Sequence, residues 1–127
     1  MMREEHSAGA GRSSTARAAS AECNCRFIEG LVAAAYRVAP AEMRNRYRGR
    51  AGVAFARQTA MYLAHVHLGL TLQRVGAHFG RDRTTVAHAC ARVEDSRDDR
   101  KRDCILACLE AALDCWQRSL ARKDMGP

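Results

Sequence analysis

Apolar positions recur along this chain every three or four residues, and no stretch alternates convincingly enough to mark a strand. Ile28, Leu31, Val32, Ala35 and Ala39 predict a helix over about Ala21 to Ala39, stopped by Pro40. Pro40 suits the first turn of a short second helix through Glu42 and Met43. Ala60, Leu63, Ala64 and His67 mark the buried side of a third helix, from about Phe55 to Leu68, with Gly69 as its left-handed cap. Thr71 caps a short helix carrying Leu72, Val75, Gly76 and Phe79, which Gly80 closes. Asp82 caps the next, with Val86, Ala89, Cys90 and Val93 turned inward. The last stripe, Ile105, Leu109, Ala112, Leu113, Trp116 and Leu120, predicts a helix over residues 102–121. The expected fold class is all-α.

Polar segments set the organisation. Residues 1–20 have no apolar period and read as a disordered tail. "RNRYRGRAG", residues 44–52, reads as an exposed basic loop, and "EDSRDDRKRD", residues 94–103, as a hinge. The 127 residues, 47% of them apolar, support one domain, placed at residues 21–122. Few aromatics are present, so Leu, Val, Ala and Met must build the core. The N-terminus lacks the apolar run of a secretory signal and no segment is long enough to span a membrane, so a cytoplasmic protein is expected.

Charge sharpens the picture. Net charge is +7, and residues 43–81 carry seven arginines with no Asp or Glu, so this block holds the whole excess. A concentrated positive field favours a polyanion. The helices at 72–79 and 83–94, joined by a tight glycine turn, match a helix-turn-helix, whose second helix enters the major groove. Its leading residues are Asp82, Arg83, Thr84 and Thr85. Arg offers a fork for guanine, Asp accepts from cytosine, and Thr reaches a thymine methyl or a phosphate. Arg83, Thr84, Ala87, His88 and Ala91 are left on the outer side, where small residues at 87 and 91 let the helix lie deep in a groove. His88 faces out, either towards a phosphate or to solvent.

"ARQTAMYLAHVHLGLTLQRVGAHFGRDRTTVAHACARVE", residues 56–94, resembles the C-terminal DNA-binding domain of the bacterial replication initiator DnaA. "RQTAMYLA" and "FGRDRTTVAHA" carry the match, at the family's separation and behind a basic loop; a weaker likeness reaches back to about Phe27. The resemblance implies double-stranded DNA as partner, read at a short box, the DnaA box. It implies that Asp82, Arg83, Thr84 and Thr85 meet bases and nearby phosphates and that Ala87 lies against the groove. It also implies that Arg57 and Gln58 hold phosphate from the start of the third helix, and that Arg48 or Arg50 enters the minor groove. Arg46 and His88 complete the expected phosphate contacts. The chain departs from the family in carrying Arg83 where His is usual, and one glycine, Gly80, where two are usual. It holds no Gly-Lys dipeptide, hence no P-loop. The expectation is a stand-alone domain without an ATPase module, without nucleotide or other cofactor, regulating replication initiation or transcription by occupancy. Helix 102–121 is an addition.

Six cysteines complete the inventory. Cys23-x-Cys25 precedes the first helix, and Cys104, Cys108 and Cys115 fall on one edge of the last apolar stripe. His65-x-His67 and His88-x-Cys90 offer further ligands. No pair has C-x-x-C spacing, so reduced thiols packed as small hydrophobes, and no metal, are expected. Arg74 and His78 read as a solvated face, and Glu94, Asp95, Asp98 and Asp99 as a solvated link. No nucleophile–base pattern is present, so no enzyme is expected. The alternatives are a metal- or thiol-responsive regulator, a module for an acidic protein partner, and a homodimer through helix 102–121.

Overall fold

The computed structural model describes residues 20–44 and 51–124, which form five helices and no strand. Helix α1 covers residues 20–36. Its inner stripe is Cys25, Ile28, Glu29, Val32 and Ala33, so the stripe begins a turn earlier than expected and leaves Ala35 and Ala39 exposed. The helix also ends before Pro40 is reached. Arg37 takes the left-handed conformation at φ 55°. Val38 N–H then donates to Ala33 O at 2.8 Å and Arg37 N–H to Ala34 O at 3.4 Å. These two bonds are a Schellman cap with arginine in the usual glycine place. Pro40 opens a short 3-10 turn, Pro40–Arg44.

Helix α2, Ala51–Tyr62, runs into a π-helical turn, Leu63–His67. The chain is already helical at Ala51, four residues before the expected Phe55, so Ala51 and Gly52 belong to the helix rather than to the basic loop. Val53, Ala56, Thr59, Ala60, Met61, Tyr62, Leu63 and Ala64 are all buried, making α2 the central element. Thr59 meets its burial by donating its hydroxyl to Phe55 O at 2.9 Å. Helices α3, Leu72–Phe79, and α4, Arg83–Ser96, form as expected, capped by Thr71 and Asp82. Helix α5, Arg100–Asp124, is longer than the stripe suggested. Asp99 starts it, accepting from Lys101 N–H at 2.9 Å.

The extra helix is an integral part of the core. Leu106, Leu109 and Leu113 are buried, worth about 1.5–3 kcal/mol each. Trp116 stacks on Phe27 of α1 at 4.3 Å between centroids and donates Nε1–H to Asn24 at 2.9 Å. Arg102 lies 4.9 Å over the Phe55 ring of α2. The apolar face of α5 is thus packed within the chain.

The acidic segment is partly a polar lock. Arg97 donates Nε–H to Asp103 at 2.6 Å, Nη2–H to Glu110 at 2.9 Å and Nη1–H to Tyr62 Oη at 3.2 Å. Tyr62 donates its hydroxyl to Glu94 at 2.7 Å. The Glu110 and Asp103 carboxylates hold the Arg97 guanidinium well above its ordinary pKa. Of the four acids read as a solvated link, Glu94 and Asp99 have structural work. His78 is likewise not on a solvated face: its Nε2 lies 2.6 Å from Oε1 of the buried Glu29, tying α3 to α1. Arg74 is exposed, as expected.

Gly76 of α3 is where the turn leading into α4 passes close against α3. A Cβ there would stand 2.3 Å from Arg81 O, a backbone atom that cannot swing away. Gly30, on the exposed side of α1, has nothing within 4 Å. Gly76→Ala should therefore lose about 1–3 kcal/mol of unfolding free energy. Gly30→Ala should gain up to about 1 kcal/mol from helix propensity. Urea unfolding followed by circular dichroism measures both, and equal responses would refute the close-approach argument.

Candidate nucleic-acid interface

Three local devices fix the turn between α3 and α4. Gly80 takes φ 66°, a left-handed value that costs glycine nothing. Arg81 N–H returns to Gly76 O at 2.8 Å. Asp82 Oδ1 accepts from Thr85 N–H at 2.7 Å. The last bond satisfies an orphan amide of the α4 first turn and holds the Asp82 carboxyl below its ordinary pKa. Asp82, expected to read a base, thus has one oxygen engaged in starting its own helix.

Val86, Ala89 and Val93 seat α4 in the core, with Cys90 half-buried beside them. Arg83, Thr84, Thr85, Ala87, His88, Ala91 and Arg92 are exposed. Every outer position expected from the pattern is therefore free to meet a partner. Ala87 and Ala91 add no bulk to that surface.

Beside α4 lies a concavity of about 810 Å³ whose other wall is one face of α2, from Ala51 to Met61. Arg57, Gln58, Arg81, Thr85, His88 and Arg92 line it. The structure so brings together two groups that are far apart in sequence, the α2 pair and the outer edge of α4. It also adds Arg81 and Arg92, which the sequence reading did not select. Their signal was present: positions 81, 85, 88 and 92 follow helical spacing on one side.

Arg57 differs from its expected role. It is 5% exposed, with Nε–H donating to Met43 O at 3.1 Å and Nη2–H to Glu42 O at 2.9 Å. Those carbonyls end the 3-10 turn, so Arg57 anchors the chain just ahead of the basic segment. Burial, then the nearby Arg81, pushes its pKa down. Because α2 begins at Ala51, Arg57 and Gln58 sit in its second turn and beyond, not at the free N–H groups of its start. The helix-terminus argument for their phosphate role fails on that ground. Gln58 Oε1 is buried without a hydrogen-bond partner. Arg46, Arg48 and Arg50 lie outside the described residues. Ala51, where the description resumes, lines the concavity.

The cysteines and paired histidines make no shared centre. All six thiols are free, and Cys104, Cys108 and Cys115 are exposed rather than packed on the apolar edge. The α5 stripe runs through Leu106 instead, turning those three outward. His65 lies 2.6 Å from Leu70 O, and His67 2.9 Å from Asp114. No described group of three or more His, Cys, Asp or Glu side chains could hold a metal ion. No described helix is long and apolar enough to cross a membrane.

The family described as the bacterial DnaA protein helix-turn-helix matches residues 25–93. The chain is 35% identical over 95 residues to the chromosomal replication initiator protein DnaA of Microcystis aeruginosa, covering 73% of this chain and 21% of that protein. The protein of the same name from Symbiobacterium thermophilum is 43% identical over 67 residues, covering 52% of this chain and 14% of the relative. That of Thermoanaerobacter sp. strain X514 is 35% identical over 74 residues, covering 58% and 16%. The chain thus spans about a fifth or less of the length of these relatives. Helix α5 begins after the matched segment ends.

The Asp82 cap has a pH signature. Its folded pKa lies below the unfolded one, so its contribution is present above the unfolded value and is lost as pH falls through the lower folded value. Asp82→Ala should speed hydrogen exchange at the Thr85 amide at neutral pH. Asp82→Asn, which keeps an acceptor, should restore most of the protection. Unchanged Thr85 exchange in Asp82→Ala would show that the cap does not hold this turn.

Proposed function

The chain belongs to the bacterial DnaA helix-turn-helix family, a DNA-binding module, and on that premise we propose that it reads double-stranded DNA at sites resembling DnaA boxes. The observation that carries the reading is the exposed leading face of α4 beside a cationic concavity. An exposed polar edge and an arginine-bearing wall stand side by side. Arg83, Thr84, Thr85 and Ala87 face base edges. Asp82 accepts from a base through its second oxygen while the first caps the helix. Gln58, His88, Arg81 and Arg92 take phosphate oxygens along the neighbouring strand. Arg57 adds its charge from beneath and Arg46 joins from the basic segment. Arg48 or Arg50 enters the minor groove, where a narrow A·T-rich tract attracts arginine. Occupancy of such boxes regulates replication initiation or transcription. Selection of bound duplexes from a random pool tests this directly. Recovery of a DnaA-box-like motif supports it, and recovery of unselected sequence overturns it.

Two measurements probe the energetics. With about five phosphates neutralised, log affinity should fall against log sodium chloride concentration with a slope of roughly −4 to −5. A flat plot would remove the phosphate contacts from the account. Arg83→His, compared over all four bases at each box position, should change preference at one position by about tenfold or more, the value of a bidentate guanine contact. A uniform loss with the ranking intact would make Arg83 a phosphate contact.

A further inference from the structure

Cys104 and Cys108 have no part in the core or in the DNA-binding face. Both are exposed and free, one turn apart on α5, on the side opposite Leu106, Leu109 and Leu113. That buried leucine face and the Trp116–Phe27 stack hold α5 against the chain, so the two thiols keep helical spacing. Side chains at i and i+4 on a helix have Cβ atoms about 5–6 Å apart. A disulfide needs about 3.5–4.5 Å. The pair therefore cannot cross-link to itself unless the turn unwinds. One ion does span the gap, since two metal–sulfur bonds of about 2.3 Å set the sulfurs about 4–5 Å apart.

The surroundings limit what that ion is. No described group of three ligands exists, so the two sulfurs are the whole protein contribution. Cys115 is on the same face but about 10 Å further along the axis from Cys108. Cations that need an oxygen shell or a four-ligand cage are poorly served. Soft ions that prefer thiolate are well served. The other thiols differ in kind. Burial, with Glu29 and Glu22 nearby, pushes Cys25 up to about 11, and Cys90 is half-buried and also raised. Cys23 is exposed but lies two residues from Cys25, and so on another side of α1.

We propose that Cys104 and Cys108 form a two-thiolate site for a soft, thiophilic metal ion of the copper(I) type. On binding, each thiol releases its proton to solvent and each sulfur donates a lone pair to the ion. Two metal–sulfur bonds form and no electron changes hands. The site lies outside the segment that the DnaA family shares, and it does not depend on DNA binding.

Anaerobic titration of the reduced full chain with copper(I), against a chromogenic copper(I) chelator, tests it. One equivalent per chain should be held, with the chain monomeric on size exclusion. Cys104→Ser and Cys108→Ser should each weaken that binding by roughly a hundredfold or more, since loss of even a ligand's hydrogen-bond partner costs about 10–100-fold. Cys115→Ser should leave it unchanged. All three positions are exposed, so circular dichroism should show the fold intact. Undiminished binding in the Cys104 and Cys108 variants would overturn the proposal. So would equal loss in Cys115→Ser, or half an equivalent per chain with doubled mass, which places the ion between copies.

Discussion

The exposed face of α4, the proposed DNA-facing surface, depends on one backbone contact. Arg81 O passes so near Gly76 that no side chain fits between them. That contact lets the chain reverse within a few residues and sets α4 against α3. Gly80 and the Asp82 cap then fix the direction in which α4 leaves. Everything the recognition helix presents follows from there. With its inner side clamped by Val86, Ala89 and Val93, residues 83, 84, 87, 88 and 91 have nowhere to face but outward.

Much of this was legible in the sequence because short-range rules governed it. Thr71, Gly80 and Asp82 announce helix ends by local chemistry, and α3 and α4 formed where those residues said. Where the rules were not local, the reading slipped. Arg37 closes α1 in a conformation that nothing in its residue type suggests. Ala51 and Gly52 joined a helix although both are exposed: alanine favours the helix, and the cost of about 1 kcal/mol for Gly52 does not stop it. Leu106 was passed over, and with it the true direction of the α5 stripe, so the cysteines came out on the wrong side.

Charge was the least transferable signal. Counting arginines located the cationic region, yet could not say which were available. Arg57 sits in the middle of the basic block and is largely occupied by two carbonyls. Arg97 is locked among Asp103, Glu110 and Tyr62. Arg92 lies outside the block and lines the concavity. A guanidinium contributes to recognition only when its donors are not already used by the fold, and sequence does not carry that information.

The docking of α5 separates two boundaries that are easily taken as one. The segment that the DnaA helix-turn-helix family matches stops at residue 93, but the packed core does not. A chain cut there would bare the Phe27 face that Trp116 covers, and would leave Tyr62 without both Glu94 and Arg97. Such a fragment would keep the recognition helix and lose the wall behind it, leaving an apolar surface open to self-association. In this protein, what is inherited as a module is smaller than what must fold as one.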